Sequence, residues 1–101
     1  MSNGVYISRD DLHPHIEARM QQRGVTFEEV RQVMAEGWEA AESKPGTFGK
    51  FMVFGFNTYW EGFYYQEKEV TVYYKQQEGN NVTLLTVIVR YGQNFYRGDQ
   101  I

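Results

Sequence analysis

A chain of 101 residues without cysteine makes a single domain, 1–101, with an ordinary hydrophobic core, no disulfides and no thiolate metal site, and it fits a reducing compartment. Thirteen acidic residues against ten basic ones leave a net charge of −3. That is the wrong sign for a protein living on bulk nucleic-acid affinity, although a local basic cleft is compatible with such a sum. No apolar run reaches membrane-spanning length, and the opening Met-Ser-Asn-Gly has neither part of a secretory leader. The expectation is a cytoplasmic protein with no membrane anchor.

In chain order, Val5-Tyr6-Ile7 is a short strand or an anchoring contact. Ser8 with Asp10 or Asp11 offers helix-start chemistry, and Pro14 fits only a first helical turn, so the first helix is predicted to begin around Asp10 to Leu12. Gly24 ends it. Thr26-Phe27-Glu28-Glu29 is a capping box, Val30, Val33 and Met34 form a buried stripe, and Gly37 is the stop. These features predict a helical hairpin turning at Gly24-Val25.

From Trp38 the pattern changes, and the aromatic content (17%, with eight tyrosines) favours strands. Residues 38–42 read equally as strand or helix tail, and Ser43-Lys44-Pro45-Gly46 is a turn. Phe48 to Phe56 is a strand bent at Gly49 and Gly55, followed by a loop from Asn57 to Gly62. Phe63 to Lys75 is a long strand, Gln77 to Asn81 a hairpin turn, and Val82 to Tyr91 the strongest strand. That last strand is apolar at Leu84 and Ile88 on one face and at Leu85, Val87 and Val89 on the other, so it is predicted to be central, with both faces covered. The tail from about 93 is polar, has Phe95 and Tyr96 as its anchors, and is expected to fray. Two helices followed by an antiparallel meander of about four strands define a two-layer α+β plan.

On a helical wheel, Leu12, Ile16 and Met20 mark an apolar arc opposite Glu17 and Gln21. Arg19 and Arg23 fall inside that arc and His15 at its edge. A guanidinium on the core side must find a carboxylate, a carbonyl, a wet cleft or a ligand.

His15-x-x-x-Arg19-Met20-x-x-Arg23-Gly24, followed by Glu28-Glu29-Val30, resembles the opening of an uncharacterised bacterial domain family. The match covers about a quarter of the chain; Leu85-Thr86-Val87-Ile88 is consistent with it. Such families are grouped with barnase, EndoU, colicin ribonuclease domains and RelE-like toxins. The resemblance therefore implies two helices packed on a four-stranded antiparallel sheet, with ribonuclease or toxin ancestry and RNA and an antitoxin as partners. It carries no catalytic assignment, and fold analogy is not activity.

Metal-independent RNA cleavage needs a base, an acid and a cation on the phosphate. His15 is the candidate base; Arg19, Arg23 and Arg90 are the candidate phosphate holders, with Lys68, Tyr74 and Trp60 as substrate contacts. The competing reading ties His15 and Arg19 to Glu28, Glu29 or Glu61 as a lock on the hairpin and leaves Arg90 snorkelling to solvent. If Leu85, Val87 and Val89 face the helices, Arg90 faces away from His15. His13-Pro14-His15 lacks a third metal ligand at useful spacing, so no metal and no cofactor is expected. The band Tyr59-Trp60 with Phe63-Tyr64-Tyr65 either stacks bases or forms a second core or an interface. Two functions stand: a RelE-like ribonuclease, or a non-catalytic module of the same fold whose aromatic face binds a second copy or another protein.

Overall fold

The computed structural model describes residues 4–40, 44–79 and 81–97. At the N-terminus the Val5 N–H donates to Met34 O at 2.9 Å, an anchoring contact and not a strand. Arg9–Asp11 form one 3-10 turn, closed by Asp11 Oδ2 accepting from the Ser8 N–H at 2.9 Å. Helix α1, Pro14–Arg23, starts later than the Asp10 to Leu12 window. Pro14 occupies the first helical position, where its missing N–H costs nothing. His13 caps the helix, its Nδ1 accepting from the His15 N–H at 3.2 Å. Residues 12–13 stay extended because they serve the sheet: Leu12 bridges to Leu84, and the His13 N–H donates to Leu84 O at 3.0 Å.

Gly24 ends α1 in the left-handed region at φ 73, a conformation glycine adopts without steric penalty. Helix α2, Phe27–Glu36, has the full capping box: Thr26 Oγ1 accepts from the Glu29 N–H at 3.1 Å, and Glu29 Oε1 accepts from the Thr26 N–H at 3.0 Å. Ten-residue helices are marginal alone. Burial of Ile16, Val30, Val33 and Met34, worth about 1.5–3 kcal/mol per side chain, holds this pair against the sheet.

The sheet is antiparallel with strand order β1 (Trp38–Glu39), β2 (Phe48–Trp60), β3 (Phe63–Gln76), β4 (Val82–Gly92). Lys50, Met52 and Phe54 of β2 lie opposite Val72, Val70 and Lys68 of β3, which in turn oppose Val87, Val89 and Tyr91 of β4. This is the face under the helices, and Val70, Val72, Leu84 and Val87 are fully buried there. Lys50 is buried with Nζ donating to Met34 O at 3.0 Å; burial pulls its pKa down against the pull of Glu39.

Two expectations about the strands change. The loop from Asn57 to Gly62 is strand up to Trp60, because Asn57 (φ 50) is absorbed in a bulge between Gly55 and Thr58 and only Glu61 and Gly62 turn the chain. Strand β4 is an edge strand, not a central one. Its apolar residues do not determine lateral neighbours, and they also overstate the cover: Leu84 and Val87 are buried under the helices, while Ile88 on the outer face is 44% exposed. An extra residue at Leu85, between the pairs Tyr74↔Leu84 and Tyr73↔Thr86, also shifts the alternation, so Leu84 shares a face with Val87 and Val89. The open edge is sealed at its start by His13 on Leu84 O and further along by the Arg23 guanidinium, which donates to Val87 O.

The tail covers part of the outer sheet face. The Phe95 N–H and Arg97 Nη2 donate to the two carboxylate oxygens of Glu67 at 3.0 and 2.5 Å, and Arg97 Nη1 reaches Val53 O at 3.4 Å. Those contacts, the Phe95 N–H first and Arg97 next, hold the Glu67 carboxyl below its usual range. The Arg90 guanidinium lies 4.9 Å over the Phe95 ring, and Tyr96 stacks on Phe51 at 6.3 Å.

Candidate functional site

Of the seven residues singled out for chemistry, Arg23, Lys68 and Trp60 meet around Gly24 and Tyr91, His15 and Arg19 share the exposed side of α1, and Tyr74 and Arg90 lie apart from both groups. Arg23 is spent on the β4 edge carbonyl. Lys68, 3% exposed, donates to Gly24 O at 2.6 Å and to Glu29 Oε1 at 2.8 Å, beneath the rings of Phe56 and Tyr91. Tyr74 is a core side chain beside Phe48, its phenol pushed up first by burial and then by Glu39. Trp60 stacks on Tyr91 at 5.2 Å with its far edge against Gly24. Arg90 pairs with Glu69 at 2.8 Å on the sheet face away from the helices. His15 and Arg19 are exposed on α1, one turn apart. His15 therefore does not share a side of the sheet with Arg90, and His15, Arg19 and Arg90 open into no common cleft.

The hairpin lock also takes a different form. Glu28 pairs with Arg31 at 2.5 Å and Glu29 with Lys68, while the Arg19 guanidinium bonds to no described residue. The tie between the helix turn and the sheet is a polar cluster: Lys68 on Gly24 and Glu29, and the Tyr91 hydroxyl donating to Arg23 O at 2.6 Å. Burial first, then the carboxylates of Glu29 and Glu61, pushes the Tyr91 phenol up to about 12. Among the described residues no group of three His, Cys, Asp or Glu is placed to hold a metal. The His13 and His15 rings meet edge to face at 4.9 Å.

The prominent surface feature lies elsewhere. Strand β4 ends opposite Glu67, and β1 pairs only with Lys50 and Phe51. Residues 56–66 therefore form a two-stranded arm with no third strand beside it among the described residues. Tyr59 and Phe63 are each 68% exposed and Tyr64 is 52% exposed. Tyr59 and Tyr64 sit directly opposite, rings 5.4 Å apart at 78°. At the tip, Glu61 (φ 50) and Gly62 (φ 91) make a two-residue turn of the I′ kind, for which asparagine-glycine, aspartate-glycine and glycine-glycine are the preferred pairs. Beside the arm, Tyr64, Tyr65, Gln66, Gly92 and Gln93 line an open depression of about 220 Å³. No Lys or Arg occurs from Val53 to Glu67. A second depression of about 220 Å³ lies between the helices, with Arg9 stacked 4.5 Å over Phe27 and Met20 and Val25 beneath.

Sequence reasoning singled out the aromatic band but missed the Glu61-Gly62 turn. A glycine after one residue of turn, between the aromatic runs Tyr59-Trp60 and Phe63-Tyr64-Tyr65, was the available signal. Compared with known proteins, the chain matches no family model, no curated protein and no solved structure. The fold and surface define a two-layer α+β domain with a projecting aromatic arm.

Proposed function

We propose that this chain is a protein-interaction module that docks another protein through the aromatic arm. The observation carrying this reading is the exposure of Tyr59, Phe63 and Tyr64 on a pair of strands without a third neighbour. The body already packs against Trp60 and Tyr65 through Tyr91, which leaves Tyr59, Phe63 and Tyr64 bare, and bare tyrosine and phenylalanine clusters are the usual chemistry of interface centres. A random-peptide display selection on the intact chain tests it, with each clone re-measured on a Tyr59→Ser/Tyr64→Ser variant. Clones that bind the wild type and lose at least about tenfold on the variant support the reading. A set of clones indifferent to the variant defeats it.

A second reading keeps metal-independent ribonuclease chemistry, with His15 as base and Arg19 as phosphate holder. What favours it is that these two side chains lie in the open one helical turn apart, with the Arg19 guanidinium unengaged by described residues. Arg23 and Arg90 are already occupied, so the site would have to work without them. RNA cleavage that survives unchanged in His15→Ala and Arg19→Ala, or no cleavage in the wild type, removes this reading.

A further inference from the structure

We infer that Glu61 is the charge-recognition residue of the arm, and that the docked segment presents a lysine or arginine next to a large apolar side chain. This rests on the docking reading above and adds the chemistry of the partner.

The first support is conformational. Trp60 pairs with Phe63, so the chain reverses in two residues, both with positive φ. Asparagine, aspartate and glycine adopt that geometry readily; a long side chain such as glutamate does so at a steric cost. Local stability favours a different residue at position 61, and the sequence instead puts an exposed carboxylate in the turn of the arm.

The second support is that this carboxylate is uncommitted. Glu28, Glu29, Glu67 and Glu69 are each held by an arginine or lysine. Glu61 is exposed and makes no hydrogen bond or ion pair with a described residue. It is flanked in the chain by Tyr59 and Trp60 on one side and Phe63 and Tyr64 on the other. The neutral rim of Gln66 and Gln93 around the neighbouring depression leaves room for an apolar side chain beside Tyr64.

The third support is what the arm lacks. With no cation from Val53 to Glu67 and a carboxylate at the tip, nothing offsets the repulsion of a phosphate backbone, so the exposed rings are unsuited to stacking on RNA bases. A second copy is disfavoured by the same charge, since each chain carries −3 and tip-to-tip contact would oppose two Glu61 carboxylates. A cationic, apolar protein segment satisfies both the ring cluster and the charge.

The experiment uses the arm-dependent clones from the display selection. They are expected to be enriched in Lys or Arg adjacent to Leu, Ile, Phe, Tyr or Trp, and to bind more weakly as salt is raised. Glu61→Asn is expected to raise the melting temperature of the intact protein while weakening those clones about fivefold. Glu61→Lys should weaken them about tenfold, and Tyr64→Ser more than tenfold. A stabilised Glu61→Asn protein that binds as well as the wild type overturns the inference and leaves the docking reading standing. So does an arm-dependent clone set without cationic enrichment. No arm-dependent clones at all overturns both. Two further results overturn the cationic segment in favour of another occupant. One is tighter binding of a labelled 20-residue oligouridine that Tyr64→Ser abolishes; the other is a sedimenting dimer that Tyr64→Ser dissociates.

Discussion

Tyr74 and Tyr64 lie ten residues apart on one strand, at positions of the same alternation, and they live in opposite environments. Tyr74 is 8% exposed under the helices and Tyr64 is 52% exposed on the arm. Each faces an aromatic residue across the β2–β3 pair, Phe48 and Tyr59 respectively. The strand chemistry at the two ends is therefore the same. What separates them is that the helices pack over Tyr74, whereas β4 stops short of Tyr64 and the body meets the arm at Phe56, Trp60 and Tyr65, whose rings lie on Tyr91. Residue type decides that these segments pair; the lengths of the neighbouring elements decide which rings are covered.

The difference predicts its own largest effect. Tyr74→Ala should cost about 3 kcal/mol of unfolding free energy, because the truncated ring leaves a cavity in a packed layer. A denaturant titration with an unchanged slope measures this. A loss below about 1 kcal/mol would mean that the two ends differ less than their exposure says.

Where the ends meet, the arm is fastened to the helix turn. A Cβ at Gly24 would lie 2.6 and 2.7 Å from Trp60 ring atoms and 2.8 Å from the Tyr91 hydroxyl, at a φ that side chains rarely adopt. Gly24→Ala is thus expected to cost about 2–3 kcal/mol, combining the backbone penalty with the lost ring stack. Because Trp60 must move, the tryptophan emission should change with it. Unfolding free energy and emission spectrum together check the point, since a loss of stability with unaltered emission would place the damage in the backbone alone.

Much of this architecture was legible in the residues. Capping at Thr26, the glycine stops at Gly24 and Gly37, and the long alternating run of β3 are local signals, and local signals survive folding. The position of β4 was not legible, because being apolar above and below says nothing about lateral neighbours. Nor was the tail, whose cover of the outer face depends on Glu67 and Val53 more than 25 residues away in sequence. The same limit applied to the candidate site. The wheel set both Arg19 and Arg23 toward the interior: Arg23 is half-buried, with a strand carbonyl as the partner that only tertiary placement could supply, but Arg19 is exposed and its guanidinium bonds to no described residue. Strand parity already set Arg90 on the face opposite to Val87 and Val89; only the packing showed that Val87 and Val89 are on the side of the helices and Arg90 is not.

A smaller effect tests the fastening itself. Tyr91→Phe removes the hydroxyl that donates to Arg23 O and keeps the ring under Trp60. An unpaired, half-buried carbonyl costs about 1–2 kcal/mol. The same hydroxyl sets an alkaline limit. Its folded pKa, about 12, lies above the ordinary 10, so the protonated phenol contributes stability that is complete below about 10 and is lost as pH rises from about 10 to about 12. Absorbance titration of the tyrosines should show a late phase whose upper part vanishes in Tyr91→Phe. A wild-type titration complete near the ordinary value would show that the fastening opens readily.

The smallest expected change is the most informative about function. Tyr64→Ala removes a ring from the same strand as Tyr74→Ala, yet should cost less than about 1 kcal/mol, the worth of one cross-strand aromatic pair on an exposed ribbon. The ratio between the two substitutions, measured in the same denaturant series, is a direct reading of how far the arm stands outside the folded body. If Tyr64→Ala proves as costly as Tyr74→Ala in the isolated chain, the arm is already covered in solution, most simply by another copy, and its rings are not available to a partner. If the cost is small, the fold does not need that ring, and its presence on the arm calls for an explanation outside the chain's own stability.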